Sequence, residues 1–180
     1  MDYTLIRSNR KTLSIQVKDG AVIVKAPMRL SRREIDRFVA EKSLWISDCL
    51  AKYQTALADA GGKLTDEQVE TLVELAKDVF RKRVSHFAPL VGVSFGRITV
   101  RCQKTRWGSC SKDGNLNFNA ALLMAPPEVL DSVVVHELCH RLEMNHSARF
   151  YGEVTRVMPD YRENHRWLKE HGQALLLRMP

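Results

Sequence analysis

Apolar and polar residues alternate over residues 4–27, with Leu13, Ile15 and Val17 in one run and Val22 and Val24 in the next. A period of two marks a strand with one buried face. Asp19-Gly20 lies between the runs and suits the positive φ angles of a tight turn, so the segment predicts a β-hairpin that Pro27 ends. The period then lengthens. Ser31-Arg-Arg-Glu34 has the form of a capping box, in which serine and glutamate each satisfy a backbone N–H of the other. It opens a predicted helix with Ile35, Phe38, Val39, Trp45 and Ile46 on its apolar face, running to about Ala58. Gly61-Gly62 breaks the pattern. It separates an N-terminal hairpin-and-helix extension, residues 1–62, from a second region, residues 63–180, the two expected to pack as one unit.

Thr65-Asp-Glu-Gln68 is a second capping box, and Val69, Leu72, Val73, Ala76, Val79, Phe80 and Val84 follow at helical spacing until Pro89 and Gly92 close the helix. Val93 to Cys102 reads as a strand with Phe95, Ile98 and Val100 buried. Asn115 to Ala120 alternates strictly, Leu116, Phe118 and Ala120 facing one way and Asn115, Asn117 and Asn119 the other. With the Asp113-Gly114 turn before it, 98–120 forms a strand–loop–strand unit whose second strand, if it is an exposed edge, would pair with an extended peptide. Pro126-Pro127-Glu128 starts the next helix, which runs to about Glu143. Ser147 caps another that ends before Pro159, and a last helix covers roughly 160–171 and stops at Gly172. Repeats and low-complexity segments are absent.

Composition narrows the class. The chain has 180 residues, 44% of them hydrophobic, enough for one core with an extension. Lys and Arg number 28 against 21 Asp and Glu, a net +7 that suits contact with nucleic acid or another anion without establishing it. The first residues, MDYTLIRSNRK, hold no apolar stretch of a secretory signal, and no run is long enough to span a membrane. Cys49, Cys102, Cys110 and Cys139 show no Cys-x-x-Cys spacing, which favours reduced thiols in a cytoplasmic protein over a zinc knuckle or disulfides.

The chemistry concentrates in 133–151, VVVHELCHRLEMNHSARFY. His136 and His140 are four apart, so on a helix both imidazoles point to one side and can share a zinc ion. Glu137 lies one residue round, where it reaches a metal-bound water without occupying the metal. A catalytic zinc takes three protein ligands and keeps one position open. His146 is the leading third ligand, with Glu153, Glu163, His165 and His171 as alternatives. His146 requires the chain to bend after about Glu143. The ligand spacing equals that of metzincins, but Glu143 stands where they carry glycine, so the bend is expected at Met144-Asn145, Asn145 tolerating the left-handed conformation. Cys139 reads as a small buried apolar residue, and Phe150 and Tyr151 as packing; Tyr151 or Tyr161 is also a candidate hydrogen-bond donor to an oxyanion. Arg106-Trp107-Gly108-Ser109-Cys110 is unusual for a connector and forms either a wall of a substrate cleft or a plug in the core. Arg106, Trp107, Asn117 and Tyr151 are the candidate substrate-binding residues. The basic loop 101–112, with Arg101, Lys104, Arg106 and Lys112, is a candidate contact for phosphates of a nucleotide or nucleic acid.

RWGSC at 106–110, the strand NLNFN, APPEVLDSVVVHELCH at 125–140 and MNHSARFY at 144–151 together resemble the YgjP-like metallopeptidase family, relatives of the SprT-like and WLM-type zinc proteases. The N-terminal run IRSNRKTLSIQVKDGAVIVKAP resembles that family's start as well. The resemblance implies an α+β, zincin-like catalytic domain of minimal gluzincin type, with an active-site helix and a small sheet. It implies one zinc ion on His136, His140 and His146, with Glu137 as general base. The activity expected is peptide-bond hydrolysis by Glu-assisted attack of zinc-bound water. The alternatives are a metal-dependent hydrolase of nucleoside triphosphates, since a UTP pyrophosphatase activity has been attributed to the family, and a nucleic-acid-associated protease of SprT-like type. A peptide or protein substrate is the expected partner, with no membrane.

Overall fold

Asp19 and Gly20 both adopt positive φ, 53° and 76°. They fold β2 (Ser14–Lys18) antiparallel onto β3 (Ala21–Pro27). In the computed structural model, which describes residues 2–180, the hairpin gains a third strand. β1 (Thr4–Ser8) lies parallel to β3 on its other side, giving the order β1-β3-β2. The central strand buries Val22, Val24 and Ala26. The Ser31–Glu34 capping box forms and starts α1 (Arg32–Glu41). The one helix expected to about Ala58 is two, because Lys42 leaves helical geometry (φ −99°, ψ 9°) before α2 (Ser43–Asp59). The apolar pattern hides this break. Ile35, Val39 and Ile46 keep helical spacing across it and join one cluster with the buried face of β3.

Internal packing divides the chain after Gly62, and Lys63–Pro180 forms the second unit. The Thr65–Gln68 capping box opens α3 (Asp66–Val91), which contains Pro89 and ends where Gly92 turns left-handed at φ 83°. Pro89 lies within the final turn without ending the helix; it removes only its own bond to the carbonyl four residues back, and the stop comes at Gly92. α3 buries a stripe of Ala76, Phe80, Val84, Phe87 and Val91. Phe80 stacks on Phe118 with ring centroids 4.4 Å apart.

The second sheet departs most from expectation. β4 (Ile98–Arg101) is shorter than the predicted strand, and Phe95, Ile98 and Val100 are half-buried rather than buried. β5 (Gly108–Cys110) runs antiparallel and β4 parallel to β6 (Leu116–Asn119), in the order β4-β6-β5. The strand holding Asn117 is therefore central and offers no free edge to a peptide. Asn119, expected on a half-exposed face, is buried. Its Nδ2 donates to the carbonyls of Gln103 (2.6 Å) and Arg106 (2.9 Å), and its Oδ1 accepts from the Ala121 N–H. It thereby ties down the basic loop.

A 3-10 turn (Ala120–Met124) leads to α4 (Pro127–Cys139), which packs against α3, α5 (Ala148–Val157), α6 (Tyr161–Leu177) and β5. Because partners surround it, α4 is apolar almost all round, burying Val129, Leu130, Val133, Val134, Val135 and Leu138. Arg83 of α3 grips Asp131 of α4 through two hydrogen bonds of 2.6 and 2.5 Å. α4 stops at Cys139 rather than near Glu143, and α6 runs through Gly172. The class is α+β, as expected. All four cysteines are free, and among the described residues no helix is long and apolar enough to cross a membrane.

Candidate metal centre

α4 places His136 one turn below His140, which caps its C-terminus. The chain then turns back, held by Arg141 N–H to the Leu138 carbonyl (2.9 Å) and Glu143 N–H to the Cys139 carbonyl (3.0 Å). Ser147 caps α5 through the Phe150 N–H at 3.2 Å. His146 sits just before that cap and returns to the other two histidines. The chain does bend at Met144-Asn145, but Asn145 is not left-handed: among the described residues Asp19 is the only non-glycine with positive φ. The turn begins earlier, with the end of α4 at Cys139.

One ring nitrogen from each of His136, His140 and His146 lies within 4.8 Å of the others. Nε2 of His136 and Nε2 of His146 are 3.1 Å apart. The remaining nitrogens of His136 and His140 are engaged behind them. His136 Nδ1 meets the Tyr161 hydroxyl at 2.8 Å, and His140 Nδ1 lies 3.1 Å from the Glu143 carbonyl, an acceptor only, so His140 donates there and keeps its Nε2 lone pair free. Phe150, fully buried, packs on all three rings at centroid distances of 4.6 to 4.9 Å. Burial, then the neighbouring imidazoles, drives the His136 pKa down to about 3. Burial likewise lowers that of His140, against an opposing pull from the Glu143 carbonyl. Both rings are thus held neutral, the form that binds a metal. Two nitrogens on a tetrahedral zinc at 2.0–2.1 Å lie about 3.3 Å apart, close to the 3.1 Å between His136 and His146, and the three imidazoles together form a group that could hold a metal ion.

Glu137 projects beside this group. It is 5% exposed, and its Oε2 has no hydrogen-bond partner. Burial raises its pKa to about 8. The carboxyl lies directly over Gly108 of β5: a Cβ there would stand 2.6 Å from Oε1. Gly108 is required because the carboxylate occupies the space of its missing side chain.

Of the other candidate ligands, none joins the three-histidine group among the described residues. Glu153 pairs with Arg156 at 2.9 Å, His165 stacks on Tyr161, and His171 Nδ1 faces the Trp167 carbonyl. Cys139 is buried, its thiol pushed up to about 12 by desolvation, and is not a thiolate ligand. Arg106 and Gly108 line the histidine cleft, of about 290 Å³, with Ser109, Cys110 and Met144. Trp107 lines a neighbouring pocket. Asn117 donates to the Ser109 hydroxyl at 3.2 Å inside the sheet and does not line the cleft. Tyr151 is exposed beside His146, with centroids 6.2 Å apart. Tyr161 is the residue the sequence reading underrated. It backs His136 rather than facing the cleft, and only its position at the start of a helix marks it in the sequence.

The model of the YgjP-like metallopeptidase domain matches residues 11–72 and 63–171. No curated protein matches the chain. Two solved structures resemble it. The metallopeptidase zymogen of Pyrococcus abyssi abylysin is 23% identical, with a TM-score of 0.46 over 51% of this chain and 93% of that one. The metallopeptidase zymogen of Methanocaldococcus jannaschii jannalysin is 20% identical, with a TM-score of 0.44 over 51% of this chain and 94% of that one.

Proposed function

The chain belongs to the YgjP-like metallopeptidase family, and from that premise we propose that it is a zinc-dependent peptidase with His136, His140 and His146 as ligands and Glu137 as general base. The observation that carries the reading is a buried carboxyl with an unpartnered oxygen beside three converging imidazoles. A bound zinc ion supplies Lewis acidity, lowering the pKa of a coordinated water from about 15.7 towards about 7 and polarising the scissile carbonyl.

The protein's own part follows from its geometry. Beside the charge of a bound cation the carboxylate is favoured over the acid form that burial favours, and Oε2 of Glu137, which has no competing donor, is then free to take a proton from the attacking water. As the C–N bond breaks, the same carboxyl returns that proton to the leaving nitrogen. Gly108 holds the carboxyl in place by leaving it room. The Tyr161 hydroxyl and the Glu143 carbonyl fix the His136 and His140 rings from behind. β5 lies at the edge of its sheet and lines the cleft, which makes it, rather than β6, the strand beside which an extended peptide would lie.

The test is metal analysis with an unbiased peptide-cleavage screen, comparing wild type with Glu137→Gln and His146→Ala. Glu137→Gln is expected to keep its zinc and lose cleavage; equal turnover would overturn its role. His146→Ala is expected to lose most of its zinc, and full occupancy would remove it from the ligand set. Pyrophosphate release from UTP, lost in Glu137→Gln and unaccompanied by peptide cleavage, would replace the substrate while keeping the site.

A further inference from the structure

Beside the histidine cleft lies a second cavity, of about 260 Å³, and the two share Arg106, Gly108, His136 and Glu137 as common wall. It runs from the Glu137 carboxyl towards α6. We propose that this cavity receives one large uncharged apolar side chain of the substrate, aromatic or long aliphatic, next to the bond that is cut. The inference rests on the peptidase reading above and names its specificity.

The size and the lining both point this way. Ligand pockets that take a whole small molecule span roughly 300–1,000 Å³. A cavity just below that range suits a single side chain. Its apolar wall is the indole of Trp107 with Val133 and Leu168. Two of its polar members are already hydrogen-bonded, and a third, His165, stacks on Tyr161. The Ser132 hydroxyl donates to the Val129 carbonyl at 2.7 Å, and the Tyr161 hydroxyl is bonded to His136. The one carboxylate in the lining is Glu137, which the reaction uses, so a lysine or arginine side chain would find no other acid to pair with. Arg106 is exposed, and an acidic side chain meeting it would leave the apolar wall unfilled.

Two glycines build the cavity. Gly108 admits the Glu137 carboxyl at one end. Gly172 bears on it through the indole: a Cβ there would stand 2.6 Å from Trp107 Cζ2, so the bare backbone of α6 is what lets Trp107 approach so closely. This explains why Trp107 and Gly108 adjoin in sequence, one lining the cavity and the other opening its entrance.

The experiment has two arms on the full-length, zinc-loaded protein. In the first, methyl resonances of Val133 and Leu168 are followed by NMR during titration with N-acetylphenylalaninamide, and separately with the lysine and glutamate analogues. The phenylalanine compound is expected to shift both methyls saturably and to bind at least about tenfold more tightly than either charged analogue. Equal binding of all three, or no shift at Val133 and Leu168, would overturn the proposal. In the second, the cleavage profile of wild type is compared with Leu168→Ala, which enlarges the cavity, and with Thr105→Trp, which caps it from an exposed rim position and leaves the core untouched. Thr105→Trp is expected to move relative kcat/KM at least about tenfold from large apolar towards small residues at one fixed position beside the cut. An unchanged profile would overturn the proposal. Selective binding in the first arm with no peptide cleavage in the second would refute the peptidase reading and leave the cavity's selectivity standing.

Discussion

Replacing the titratable Glu137 carboxyl with an amide should stabilise the metal-free protein progressively, relative to wild type, as pH rises. The carboxyl is buried without a partner, and desolvation lifts its pKa from 4.5 to about 8. Below pH 4.5 it is protonated in folded and unfolded chains alike, and contributes nothing to the difference between them. Between 4.5 and about 8 the unfolded chain has released the proton while the folded chain retains it, so stability falls as pH rises. Each unit is about 1.4 kcal/mol, which by pH 7 amounts to on the order of 3 kcal/mol. Glu137→Gln keeps the shape and lacks the titration. Any fixed cost of the buried amide is the same at every pH. His136, whose lowered pKa gives the opposite slope below 6.5, is present in both proteins and cancels. At about 3 °C per kcal/mol, the variant's melting temperature relative to wild type should rise by roughly 10 °C between pH 4.5 and pH 7. Thermal melts followed by circular dichroism in excess chelator give the answer directly. A difference between the two proteins that stays flat from pH 4.5 to 8 would show that the carboxyl titrates as if in water, and the reasoning from its burial would fail.

Three further outcomes follow from single contacts. Gly108→Ala forces its methyl to within 2.6 Å of Glu137 Oε1, so cleavage should fall at least about a hundredfold while zinc content, measured by elemental analysis, stays near wild type. Tyr161→Phe removes the 2.8 Å partner of His136 Nδ1, and competition with a chelator should show zinc affinity about 10–100-fold weaker. Gly172→Ala sets a Cβ against Trp107 and should cost about 1–3 kcal/mol by denaturant unfolding, with a perturbed tryptophan emission spectrum.

Local rules carried most of the elements, because each rests on a few adjacent residues. Both capping boxes form as written, and so do the Asp19-Gly20 turn and the Ser147 cap. What local pattern does not hold is the order of strands. Leu116 and Phe118 alternate with Asn117 and Asn119 whether the strand is central or at an edge. Only its pairing with β4 and β5 decides; both precede it in sequence, yet they flank it in the sheet. The same limit explains Lys42, where the break leaves the apolar spacing intact, and Gly172, which in isolation resembles a helix stop. At the site, the spacing of His136 and His140 requires only a helix, so it was legible. The place of the bend was legible too, since the chain bends at Met144-Asn145; its conformation was not, because the turn after Cys139 has already begun to redirect the chain and Asn145 needs no left-handed φ.

Glycine at 108 and glycine at 172 join these two levels. In sequence each reads as a breaker, one in a loop and one at a helix end. In the folded chain each is occupied from outside: 108 by the Glu137 carboxyl and 172 by the Trp107 ring. Neither glycine has a positive φ, so neither is there for backbone freedom. Both are there for close approach. Because Trp107 and Gly108 are consecutive, the carboxyl and the indole are set by one short strand held between α4 and β6, and moving either moves the other. Gly172→Ala, distant from the histidines in sequence, should therefore change which peptides are cut as well as how stably the chain folds, whereas a plain packing defect would lower stability and leave the cleavage profile unaltered.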